Sequence, residues 1–161
     1  MKIERREIQA TATASTTGAT LRGVAVPYEQ FSHVLHDRPR AYRERFKRGA
    51  MNTNTETVML YGHDQSGVPL GRVGSGSLRF EDAPEGLLFE IDLPEARADI
   101  REALERGDLT GAVSVGFYVD EGGDEWQNKT KPAVRTVRNA ELVELSIVPM
   151  GAYPQAKGQL K

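Results

Sequence analysis

Between Gly111 and Val119 the side chains alternate with a period of two. Val113, Val115, Phe117 and Val119 share one face, and Ala112, Ser114, Gly116 and Tyr118 share the other. The pattern predicts a strand whose valine-rich face is core. On the opposite face Ser114 stands between two residues with almost no side chain, which leaves its hydroxyl unobstructed and gives a peptide backbone room alongside. Small neighbours that merely allow close packing write the same pattern.

Ala140 to Val148 repeats the arrangement and is stopped by Pro149. Val143, Leu145 and Ile147 mark the predicted core face, with Glu144 and Ser146 opposite alongside Leu142 and Val148. The alternation puts Glu141 in phase with the core. An outward carboxylate flanked by apolar side chains is partly desolvated and gains from a partner such as an imidazole. A solvated surface glutamate is the bland counterpart.

Lys2 to Ala14 and Leu21 to Tyr28 alternate roughly and are separated by Ser15-Thr16-Thr17-Gly18, which predicts a hairpin. Gln30 to Arg40 has loop composition, so His33 and His36 are expected on an exposed loop. Arg38 to Arg48 is a basic run with only Tyr42 and Phe46 interleaved, which reads as a solvated face without a nucleic-acid-binding motif. Thr57 to His63 predicts a strand that places His63 at its end, where scaffolds commonly present chemistry. Gly74 to Ser77 lacks the lysine and following Ser/Thr of a phosphate loop and predicts a bend. Leu78-Arg79-Phe80 and Leu87 to Ile91 predict a second hairpin. The one helical pattern runs from Pro94 to Arg106, with a proline start and Gly107 as C-cap. Glu121 to Pro132, which holds the only tryptophan, Trp126, predicts a mobile excursion outside the core, and Val134 to Arg138 a further strand.

Composition narrows the chemistry. A chain of 161 residues suits one domain, and a formal net charge of -2 gives no general pull toward nucleic acid or anionic membrane. There is no apolar run of membrane-spanning length and no signal-peptide pattern after Met1, so an intracellular protein is expected. The absence of cysteine excludes disulfides and thiolate catalysis, and three histidines leave little for a metal site, so no cofactor is expected. Any hydrolysis would be metal-free.

Ser114, His63 and Glu144 each lie on the less apolar side of a predicted strand or at its end, and their types fit the roles of a triad. An imidazole takes the proton that keeps a serine alcohol a poor nucleophile, and a carboxylate fixes the imidazole tautomer. The motif Ala112-x-Ser114-x-Gly116 lacks the strand-to-helix elbow of an α/β hydrolase.

These residues fall within a longer resemblance. Val24-Ala25-Val26-Pro27-Tyr28, Tyr42 to Met51, Leu60-Tyr61-Gly62-His63-Asp64 with Pro69-Leu70-Gly71-Arg72, Ser114-Val115-Gly116-Phe117, and Glu141 to Pro154 together resemble the tailed-phage prohead protease family, which is similar to herpesvirus assemblin. The resemblance implies a serine endopeptidase that acts in the host cytoplasm inside the immature capsid. There it cuts scaffold segments or N-terminal regions from capsid protein, and cutting of its own chain is expected too. It further implies an α+β fold, a closed and mostly antiparallel β-barrel flanked by a few helices, with catalytic groups on the outer surface of the strands. The family's histidine falls on His63, its serine on Ser114 and its acid on Glu144, with Glu141 the competitor. Herpesvirus relatives use a second histidine as third member, and this chain has none after His63. Oxyanion donors are sought among the amides of the Met150-Gly151-Ala152 turn or beside Ser114. The expected layout is a protease domain over 1–154 and a flexible tail over 155–161. Partners are capsid protein and its scaffold segment as substrate, with a homo-oligomer compatible and neither membrane nor specific nucleic acid expected. The rival reading is a catalytically silent internal scaffold or capsid-binding module, against which intact residues at all three positions argue.

Overall fold

The computed structural model describes residues 2–11, 13–14, 20–37 and 39–149, with the backbone alone for 8–11 and 13–14. In chain order the elements are β1 (Glu4–Thr11), β2 (Thr13–Ala14), β3 (Thr20–Pro27), β4 (Leu35–Asp37), β5 (Arg40–Phe46), β6 (Met51–Asn52), β7 (Val58–Tyr61), β8 (Gly71–Arg72), β9 (Leu78–Ala83), β10 (Gly86–Asp92), α1 (Ala98–Arg106), β11 (Ala112–Val119), β12 (Asp124–Gln127), β13 (Ala133–Val137) and β14 (Ala140–Ile147). The described residues are mostly β with one α-helix, which keeps the expected α+β character.

Among the described residues the expected closed barrel is not formed. The strands make three sheets, ordered β1-β11-β14-β7-β8 with β6 also on β14, β2-β3-β10-β9, and β12-β13-β5-β4. Closure needs the outermost strands to pair with each other, whereas here β1, β8, β2, β9, β12 and β4 each pair on one side only among the described residues. The sheets are mostly antiparallel, with parallel ladders where β6 and β7 join β14 and where β13 joins β5.

The core lies between the inner faces of these sheets. Val113, Val115 and Phe117 of β11 meet Leu145 and Ile147 of β14 and Met59 of β7, joined by Leu21, Leu78, Phe89 and Ile91 of the second sheet. Phe46 of β5 meets Phe117 edge to face, with ring centroids 5.3 Å apart. Helix α1 contributes Ile100, with Ala103 and Leu104 packed against the cluster, and ends at Gly107, whose φ of 79° is the left-handed conformation expected of a C-cap glycine. The helical pattern begins as a 3-10 turn over Glu95–Arg97.

Three further expectations are corrected. The first predicted hairpin is split: Thr13 and Ala14 pair with β3, but Glu4 to Ile8 pair with β11. Long-range charge partners hold β1 there. Arg6 Nε donates to Glu44 Oε1 at 2.7 Å, and Arg135 bonds both Glu4 and Glu44, so one strand's charges are matched by the β5–β13 sheet. The stretch 121–132 contains strand β12, because Trp126 packs edge to face on Tyr42 at 5.0 Å beneath Arg135. The loop 30–40 likewise includes β4, paired with β5. The second hairpin forms as expected, with Phe80 opposite Phe89.

Candidate active site

The site is built on the face of the first sheet opposite Val113, Val115 and Phe117, and Ser114, Glu144 and Ser146 are buried there rather than on an open outer surface. Ser114 of β11 is the cross-strand partner of Ser146 of β14, and Gly116 is the partner of Glu144. Partners in a ladder project to the same side, so these four positions form one patch. Beyond β14, Ser146 is paired with Leu60 of β7, and two residues after that strand comes His63.

The chain turns back sharply at the end of β7. Gly62 and His63 both have a φ of 61°, a conformation available to glycine but costly for a side-chain-bearing residue. Gly62 donates its amide to Ile147 O at 2.8 Å and His63 donates its amide to Ser146 Oγ at 3.2 Å, which swings the imidazole over β14. Its Nδ1 lies 2.7 Å from Glu144 Oε1. A carboxylate oxygen only accepts, so this contact matches the tautomer with the proton on Nδ1, which leaves Nε2 to act as an acceptor.

Glu144 is 1% exposed, far from a surface glutamate. A buried carboxylate is costly unless it is paired and hydrogen-bonded. Here it is satisfied by His63, by Ser146 Oγ donating to Oε2 at 3.0 Å, and by Arg5 Nε at 3.3 Å from Oε1. Its side chain lies over Gly116: a Cβ built there would fall 2.7 Å from Glu144 Cγ. The small residue beside Ser114 therefore makes room for the acid.

Glu141 stands apart. The ladder slips between Gly116 and Phe117, so that Phe117 faces Leu142 and Val143 is an extra residue. That bulge reverses the alternation upstream of it, which puts Leu142 in the core and turns Glu141 outward to Asn54, correcting its expected core-side phase.

Ser114 has 0% exposure, and its hydroxyl donates to Arg6 O at 3.1 Å. The hydroxyl is turned to a backbone carbonyl of β1, so it is not left unobstructed as the alternation predicted. Since β11 is paired on both sides, by β1 and β14, the amides beside Ser114 belong to sheet ladders. Met150-Gly151-Ala152, the other expected source of oxyanion donors, lies outside the described residues, as does the tail from 155 to 161.

Arg5 and Ser146 had no assigned role in the sequence. The alternation that placed Ser146 beside Glu144 was its only signal, and for Arg5 there was none, because its partner is 139 residues away. His33 and His36 are exposed, His33 just before β4 and His36 within it, in the third sheet. Within the basic run Arg40–Phe46 forms β5, where buried Tyr42, Glu44 and Phe46 alternate with Arg43 and Arg45.

The family described as caudovirus prohead serine protease matches residues 3–161, nearly the whole chain. The chain belongs to that family. No curated protein and no solved structure matches it. Membership in the prohead serine protease family implies a capsid or scaffold protein as substrate and a place within the procapsid. No helix among the described residues is long and apolar enough to cross a membrane.

Proposed function

We propose that this member of the prohead protease family is a serine endopeptidase using Ser114 as nucleophile, His63 as general base and Glu144 as the group that orients and stabilises the imidazole. The observation that carries the reading is the 2.7 Å contact between His63 Nδ1 and a Glu144 carboxylate that is almost fully buried. In the reaction Ser114 turns its hydroxyl from Arg6 O toward His63 Nε2. As Oγ bonds to the scissile carbonyl carbon, Nε2 takes the proton and Glu144 stabilises the imidazolium. The imidazolium then protonates the leaving amine as the C–N bond breaks, and a water activated by the same nitrogen hydrolyses the acyl-serine. Substrate attack requires the Ser114 hydroxyl to leave its bond to Arg6 O of β1.

The substrate in this reading is a scaffold segment or N-terminal region of the capsid protein, cut inside the prohead, and the working domain is 1–154 with 155–161 a tail open to self-cutting. Co-expression with the cognate capsid protein, followed by intact-mass measurement, tests it. Wild type should shorten the capsid protein at a defined bond and Ser114→Ala should leave it whole. Equal processing by both would remove Ser114 from the reaction.

A further inference from the structure

Ser146 is 0% exposed and makes two hydrogen bonds that meet at the same catalytic pair. Its Oγ accepts the backbone amide of His63 at 3.2 Å and donates to Glu144 Oε2 at 3.0 Å, while Glu144 Oε1 holds His63 Nδ1 at 2.7 Å. The contacts close a ring through His63 backbone, Ser146 hydroxyl, Glu144 carboxylate and His63 ring. The ring holds a histidine whose left-handed backbone is costly on its own and persists only where its surroundings over-determine it.

We infer that Ser146 is a positioning residue for the proposed triad: one hydroxyl fixes both the backbone of the base and the free oxygen of its carboxylate partner. The inference rests on the assignment of His63 and Glu144 given above. The residue type follows from the chemistry. A hydroxyl donates and accepts at once, so it satisfies an amide above and a carboxylate beside it, which alanine does for neither. With Oε2 engaged by Ser146, the carboxylate cannot rotate, and Oε1 stays aimed at Nδ1.

The test uses the full chain and a fluorophosphonate, which reports serine activation without knowledge of the cleavage sequence. Wild type, Ser146→Ala, Ser146→Thr and Ser114→Ala are compared for rate of covalent labelling, for thermal unfolding, and for the His63 tautomer by ¹⁵N NMR. Ser146→Ala should remain folded, label roughly 10- to 100-fold more slowly, by analogy with the loss of hydrogen-bond partners that orient metal-ligating histidines, and show His63 leaving the Nδ1–H tautomer for a mixture. Ser146→Thr, which keeps the hydroxyl, should retain the tautomer and label faster than Ser146→Ala. If Ser146→Ala keeps the Nδ1–H tautomer, the positioning role is overturned whatever its labelling rate. Failure of the protease reading looks different: wild type and Ser114→Ala would label alike, while the tautomer comparison would still decide the role of Ser146.

Discussion

Gly116 and Glu144 are cross-strand partners, and the space a side chain would need on Gly116 is filled by Glu144, whose Oε1 lies 2.9 Å from where a Cβ would sit. The glycine is thus a requirement of the buried carboxylate, and through it of the histidine.

Gly116→Ala should displace Glu144 and separate it from His63. We expect a loss of about 1–3 kcal/mol of stability from overpacking together with a fall in capsid-protein cleavage larger than that destabilisation explains at a temperature where the variant is fully folded. Normal cleavage by folded Gly116→Ala would show that Glu144 need not lie where it does.

The bulge at Val143 separates the two glutamates of the last strand. Glu144→Gln keeps the shape but not the charge that stabilises an imidazolium, so its turnover should fall by roughly 100- to 10,000-fold. Glu141→Gln, with its outward contact to Asn54, should turn over as wild type. Cleavage rates at saturating substrate decide between them, and a slow Glu141→Gln beside a normal Glu144→Gln would reverse the assignment.

Removal of the imidazole by His63→Ala should be about as damaging as Ser114→Ala, because in the proposed triad nucleophile and base act as a unit. Neither His33→Ala nor His36→Ala should alter the rate beyond about twofold, since surface substitutions away from such features are nearly neutral. A folded His33 or His36 variant that was inactive would point to a different base.

The N-terminal strand should loosen in acid. Burial alone would raise the Glu4 carboxyl, but the Arg135 and Arg6 guanidiniums outweigh it and hold Glu4 below its ordinary value of 4.5. A carboxyl depressed by folding contributes stability above 4.5 and loses it as pH falls through the lower value of the folded state. Urea midpoints between about pH 3 and 7 should therefore decline on acidification more steeply in wild type than in Glu4→Gln. Parallel curves would mean that Glu4 is no better held in the folded chain than in the unfolded one.

The strands around Ser114 and Glu144, the helix with Gly107 at its end and the hairpin through Phe80 and Phe89 were all legible in the sequence. Side-chain direction follows local backbone geometry, so a period of two or 3.6 writes itself into neighbouring residues. The residue types of the site were legible for the same local reason: Ser114 and Ser146 lie opposite valine, leucine and isoleucine in their own strands. Pairing was not. Whether β1 joins β3 or β11 depends on Arg6 and Glu4 finding Glu44 and Arg135, and no local pattern records those partners. The extra residue at Val143 was equally invisible, since a bulge is a relation between two strands; it left the phase of Glu144 intact and reversed that of Glu141. Barrel closure failed as an expectation because it depends on how the outermost strands meet. Only the tertiary structure brought His63 to Glu144 across 81 residues, through a left-handed turn whose hydrogen bonds come from another strand.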